Sequence, residues 1–395
     1  MRRIALVGGR ARLRARGPLV AACAVAVLSA GCAGAAGTSS VTATGRNLTI
    51  YLSAPVGAGS SHLAQDVLDA ESLAFSQKAG EVTTFKLSLQ RLSAPKPSDN
   101  ARTAIQNTAA IAYLGEIMPG SSAETIGITN AQQLLQVSPT DTAVALTRAT
   151  AAVPGAPASY LESQKTYGRT FARVVPSTVQ EAHAQATQMQ GEGVRSLYLT
   201  DDGTPYGRAL SAAVKADAAG MSVRTGPPQA SPFSSAGADA LFFATASQPV
   251  ARALFTAVAA AHPTAKLFGS SALADPTFAA SLGAARLNLV VSAPGLAPGA
   301  ATARQFLHAF QSTYHHVPVP QAVFGYEAMS AVIDVLKESG PGAGNRAAVV
   351  HNFFAIRNRQ APIGSYSIDV NGDTSLAPFV FERLRGGRFV PIGQH

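Results

Sequence analysis

Short runs of strand-forming residues alternate with stretches of helical spacing along nearly the whole of this chain, and that rhythm constrains its fold more than any other feature. Runs at 48–53, 85–90, 110–114 and 134–137 read as strands. Between them, 62–78, 99–108 and 122–131 read as helices; in the first, Leu63, Val67, Ala70, Leu73 and Ala74 form one apolar stripe. The rhythm resumes after residue 176. Strands are expected at 196–200, 240–244, 266–268 and 288–292, and helices at 177–190, 205–219, 249–261, 301–314, 322–339 and 345–356. Ser177 and Gln180 have the spacing of a capping box. Strands that alternate with helices of this length predict βαβ units and parallel sheets. The two runs predict an α/β chain of two doubly wound lobes, with function at the loops that follow the strands.

The N-terminus carries a different message. Arg2, Arg3, Arg10, Arg12, Arg14 and Arg16 precede an apolar run at 18–30 and supply most of the net charge of +9. The apolar run falls short of the about 20 residues a membrane-spanning helix needs. A basic start, a short apolar stretch and small residues before a cut site describe an export signal. Leu28-Ser29-Ala30-Gly31-Cys32 resembles the lipobox of bacterial lipoproteins, with Ser29 where an aliphatic residue is usual. The resemblance implies acylation of Cys32, and more than one acyl chain anchors firmly. Residues 33–46 are small and polar and suit a flexible tether. The only other cysteine is Cys23, so the body holds no disulfide and no thiolate metal site.

Several post-strand segments carry a family resemblance. Tyr113-Leu114-Gly115-Glu116, Ser121-Ser122 and Val137-Ser138-Pro139-Thr140-Asp141-Thr142 fall in order in the first half. The segment from Leu197 to Gly207 then ends in Pro205-Tyr206-Gly207, and Phe268-Gly269-Ser270-Ser271 and Phe324-Gly325-Tyr326-Glu327-Ala328 follow. Together these resemble the substrate-binding proteins of branched-chain amino-acid ABC transporters over roughly residues 47–392. The resemblance implies the type I periplasmic binding fold, two lobes joined by a three-crossover hinge. Crossings are expected near 175–177, 292–297 and 364–370. The expected division is a signal at 1–31 and a lipidated tether at 32–46. One lobe then comprises 47–176 with 297–364, the other 177–296 with 365–395.

The resemblance places ligand-binding roles on Thr142, for a ligand carboxylate, and on Tyr206, which closes from the second lobe. The family's turn serine falls on Pro119, with Ser121 and Ser122 close by, and its second-lobe acid falls on Ser271. A buried ammonium without an acid is costly; Glu116 and Asp141 each follow a strand and either can replace the missing acid. Ser121 and Ser122 also suit a helix cap, and Asp201-Asp202 suits a turn. Asn371-Gly372 reads as a hairpin turn.

The eight histidines include no HxxxH pair, and no GxSxG elbow, P-loop or GxGxxG fingerprint occurs. The expectation is therefore a binding protein and not an enzyme, with no cofactor and no metal. Its expected partners are a small polar molecule, an amino acid or related compound, and an ABC permease. It is expected outside the cytoplasm, held to the membrane by its lipid, with no nucleic acid bound. The rival expectation is a sensory or regulatory envelope lipoprotein with the same fold and a degenerate ligand site.

Overall fold

The computed structural model describes residues 40–53, 61–82, 84–161, 168–283, 286–296 and 300–392. The expected signal, Cys32 and residues 33–39 lie outside these.

Five parallel strands build the first sheet. They are β1 (Asn47–Ser53), β2 (Lys86–Leu92), β3 (Ala110–Leu114), β4 (Leu135–Ser138) and β5 (Phe171–Arg173). Their order is β2-β1-β3-β4-β5. The strands β3, β4 and β5 are buried at every residue, which is why they read as unbroken apolar runs instead of alternating. The helices α1 (His62–Lys78), α2 (Pro97–Gln106) and α3 (Ile126–Asn130) connect these strands.

The second sheet has seven strands. Five are parallel: β6 (Ser196–Asp201), β7 (Ser222–Thr225), β8 (Ala240–Ala244), β9 (Lys266–Gly269) and β10 (Leu289–Pro294). β11 (Arg359–Ala361) and β12 (Gly364–Tyr366) form a separate two-stranded ribbon. β13 (Phe379–Arg385) and β14 (Arg388–Pro391) then add an antiparallel edge, giving the order β14-β13-β10-β9-β8-β6-β7. Around this sheet lie α4 (Thr178–Gly191), α5 (Pro205–Asp217), α6 (Ala230–Ala236), α7 (Gln248–Ala261) and α8 (Pro276–Ser281). The capping box of α4 is present: the Ser177 hydroxyl accepts from Val179 N–H, and the Gln180 side chain accepts from Ser177 N–H.

The chain returns to the first core with α9 (Arg304–Tyr314), α10 (Ala322–Ser339) and α11 (Arg346–Phe354). α10 packs on α1 with no room to spare. A methyl group at Gly325 would stand 2.5 Å from the Val67 carbonyl oxygen, so only glycine allows this approach. The chain thus passes three times between two sheet-centred bodies: after β5, after β10, and between β12 and β13. The fold is two doubly wound lobes with three crossovers.

Two expected boundaries shift. Residues 40–46, expected in the tether, are docked on the body. Val41 N–H donates to the Gln133 side chain, Thr42 bridges Asn345, and Ala43 N–H donates to the Gly344 carbonyl. At the other end, Ile368 and Leu376 still pack in the first core, so the last passage comes later than 364–370. Asn371-Gly372 does make a tight turn, flanked by a bridge between Ile368 and Thr374. Asp373 beside it takes the wholly buried Arg173 guanidinium at 2.8 Å. Among the described residues no helix is long and apolar enough to cross a membrane.

Candidate functional site

Loops at the carboxyl ends of the parallel strands of both sheets meet at one junction. The first sheet contributes the loops after β3 and β4, the second those after β6, β8 and β9. A cavity of about 220 Å³ opens between them, lined among others by Ser121, Ala143, Tyr160, Thr204, Tyr206 and Ala246. Beside it Ile117, Met118 and Thr140 press on Ser271 and Ala272, leaving only about 10 Å³. The two bodies are therefore closed on each other.

Two hydroxyls, one from each body, are buried here with no well-formed hydrogen bond among the described residues. They are Thr142 Oγ1, just past β4, and Tyr206 OH, in the first turn of α5. The Tyr206 hydroxyl sits among the hydroxyls of Ser270, Ser271 and Thr142. Burial holds its pKa well above the usual phenol value, and the Glu181 carboxylate pushes the same way. Gly207 makes Tyr206's position attainable: a methyl group there would stand 2.8 Å from the Ala244 carbonyl and closer still to Asp202. Asp202 itself closes the expected turn, accepting from Thr204 N–H and from Thr245 Oγ1.

Asp141 turns inward. It is wholly buried and accepts from the N–H groups of Gly120 at 2.6 Å, Ser122 at 2.9 Å and Ala143 at 3.2 Å. Burial raises its pKa, while those N–H groups pull the other way. Glu116 is equally enclosed. It accepts from Tyr113 OH at 2.6 Å and Ser53 Oγ at 2.7 Å. Its pKa is raised to about 7, chiefly by desolvation; the two bonds oppose the rise, and Asp141 and Glu124 add to it. Ser122 is buried too, its hydroxyl accepting from Glu116 N–H.

Sequence reasoning missed Glu181. This residue of the first turn of α4 is fully buried behind Tyr206 and Ser271. Its Oε1 accepts from Ser271 N–H at 2.6 Å and Ser292 Oγ at 2.9 Å, and its Oε2 from Ser271 Oγ at 2.9 Å. Burial raises its pKa, and these donors lower it. A carboxylate is thus held against Ser271 from a helix 90 residues earlier. The sequence signal was slight: an acid directly after a capping box at a lobe crossing.

A second crevice between the bodies, of about 480 Å³, lies among His62, Ala274, Val319, Pro320, Glu382 and Arg388. Glu382 is 8% exposed and has no hydrogen-bond or ion-pair partner among the described residues. Desolvation alone lifts its pKa to about 7.

This architecture is the type I periplasmic binding fold. The leucine binding protein LivK of Thermotoga maritima superposes with a TM-score of 0.74 at 19% identity, covering 88% of this chain and 98% of its own. The branched-chain amino acid transporter substrate binding protein LivJ of Streptococcus pneumoniae, solved with isoleucine, gives 0.70 at 14% identity, with 88% and 100% covered. A solute binding protein of an R. palustris ABC transporter, solved with benzoate, gives 0.68 at 18% identity, with 88% and 96% covered. No family model and no curated protein matches the sequence.

Proposed function

We propose that this chain is an extracytoplasmic solute-binding lipoprotein that captures a small polar molecule by hinge closure and passes it to an ABC transporter. The observation that carries the reading is the pair of hydroxyls, Thr142 and Tyr206, buried with no well-formed hydrogen bond among the described residues where the strand-end loops of two bodies meet. Buried hydroxyls are normally satisfied, so a pair left open between two hinged bodies fits a polar guest. Ligands of such sheets sit at these strand ends. A guest that bonds to both bodies stabilises only the closed form and so shifts the open–closed equilibrium. Ser121, Thr142, Tyr206 and Ser271 would touch the ligand. Ser122, Glu116 and Asp141 would hold the loops in shape, and Glu181 would back the ligand-facing groups Tyr206 and Ser271. An acylated Cys32 would keep the protein at the membrane, beside its permease. The similar structures solved with isoleucine and with benzoate support a small-molecule guest. No feature of the cleft calls for catalysis.

The test is a thermal-shift screen against amino acids, amines, carboxylates and sugars, with mass spectrometry of small molecules carried through purification. A guest in a formed cleft raises the melting temperature; a chain that answers nothing and carries nothing refutes solute binding. One observation favours the second reading, a sensory or regulatory lipoprotein. Asp141 and Glu181 already consume backbone N–H groups at the strand ends. Pull-down of an envelope protein by a chain that binds no solute would decide for it.

A further inference from the structure

We infer that the solute this cleft takes carries a protonated amine and no carboxylate. The inference rests on the proposed function, because it names the guest of the same cleft.

A carboxylate needs several donors, and among the described residues the N–H groups of Gly120, Ser122 and Ser271 are spent, which leaves the single O–H of each of the two hydroxyls. The free N–H groups at the start of a helical turn are the usual seat for an anion. Here the turn that opens at Ser121 gives the N–H groups of Gly120 and Ser122 to Asp141, which fills that seat as a built-in anion. The Ser271 N–H goes to Glu181 in the same way.

The charge around the junction points the same way. Glu116, Asp141 and Glu181 are all buried there, and Glu124 lines the cavity. Among the described residues two arginines stand near, and neither offers itself to a guest. Arg173 is wholly buried, paired with Asp373 at 2.8 Å, and spends another nitrogen on the carbonyls of Asp141 and Ala143. Arg208 is exposed and donates to the carbonyls of Ala152 and Gly203. An anionic group entering this volume would meet acids across a low dielectric, with no free cation among the described residues to answer it.

What remains open suits an ammonium group, which brings three donors and no acceptor. Thr142 Oγ1 and Tyr206 OH have unfilled lone pairs. Glu181 lies beside the Tyr206 hydroxyl, which helps to pull its pKa down, and its Oε2 accepts from Ser271 Oγ. Two hydroxyls and a carboxylate oxygen can accept three N–H donors, and the bond to the carboxylate is charge-assisted.

The experiment uses the full chain purified in detergent and three probes with one carbon skeleton: 3-methylbutylamine, L-leucine and 4-methylpentanoate. Matched sets of diamines, guanidines and quaternary ammonium compounds, each beside its amino-acid or carboxylate counterpart, extend the comparison. Calorimetric titration should show at least one amine binding tenfold or more tighter than its carboxylate-bearing counterpart. Tyr206→Phe and Glu181→Gln should each weaken that amine at least tenfold. The melting temperature of each ligand-free variant shows whether it is folded. Tighter binding of the amino acid or the carboxylate overturns the inference and leaves solute binding standing. Equal amine binding by folded Tyr206→Phe and Glu181→Gln overturns it as well. If no compound of any set binds, the cleft is not a solute site, and the proposed function falls with it.

Discussion

Replacing Glu382 by glutamine should stabilise the protein at pH 8 and leave its stability unchanged at pH 4. β13 sets Glu382 opposite Val291 and Pro391, at the wall of the larger crevice. Its carboxylate is nearly buried and unanswered among the described residues, so its pKa stands at about 7. An unfolded glutamate titrates near ~4.3. Below that value the group is neutral in both states and has no effect on the folding balance. As pH rises toward 7 the unfolded chain ionises and the folded one does not, so stability falls; above 7 the loss is constant. Each tenfold difference in proton affinity between the two states is worth about 1.4 kcal/mol, which makes the loss by pH 8 about 3–4 kcal/mol. Glutamine keeps the shape and abolishes the titration. With an unfolding entropy of about 2.1 cal/mol/K per residue over about 350 residues, recovering that free energy raises Tm by roughly 4–5 °C. Calorimetric melts of both proteins at pH 4 and pH 8 measure it. A Tm difference that is the same at both pH values, or a wild type favoured at pH 8, would refute the reasoning, because a cation would then be answering the carboxylate.

Three further outcomes are expected. Asp373→Ala strips the partner from the wholly buried Arg173 and should cost about 3–5 kcal/mol in urea melts; a loss below about 1 kcal/mol would mean that water reaches the guanidinium. Gly325→Ala drives a methyl group against the Val67 carbonyl and should cost about 1–3 kcal/mol, read as an earlier denaturation midpoint. Cys32→Ser should move the protein from the membrane fraction to the soluble fraction and abolish labelling by a radioactive fatty acid; persistent membrane association would rule out the lipid as the anchor.

Much of the architecture was legible in the sequence because it depends on local periodicity. Buried parallel strands such as β3 and β8 are continuous apolar runs, α1 shows its stripe, and Ser177 with Gln180 announces α4. The elements that escaped reading lack such a signal. β5 has only three residues, and its buried Arg173 looks like a surface residue until Asp373 arrives 200 positions later. β7 is an exposed edge strand with little apolar content. The docking of residues 40–46 depends on Gln133 and Asn345, far along the chain.

At the site the same division holds. Thr142 and Tyr206 were singled out by the family resemblance of the segments that hold them, and the structure brings both to the junction because the carboxyl ends of parallel strands converge. That Asp141 faces its own loop, that Glu181 is bonded to Ser271, and that Glu382 is left without a partner among the described residues were decided only in three dimensions. Periodicity is a property of neighbours along the chain and can be read from them. The pairing of a buried charge depends on which distant segment is packed against it, and burial makes that choice matter.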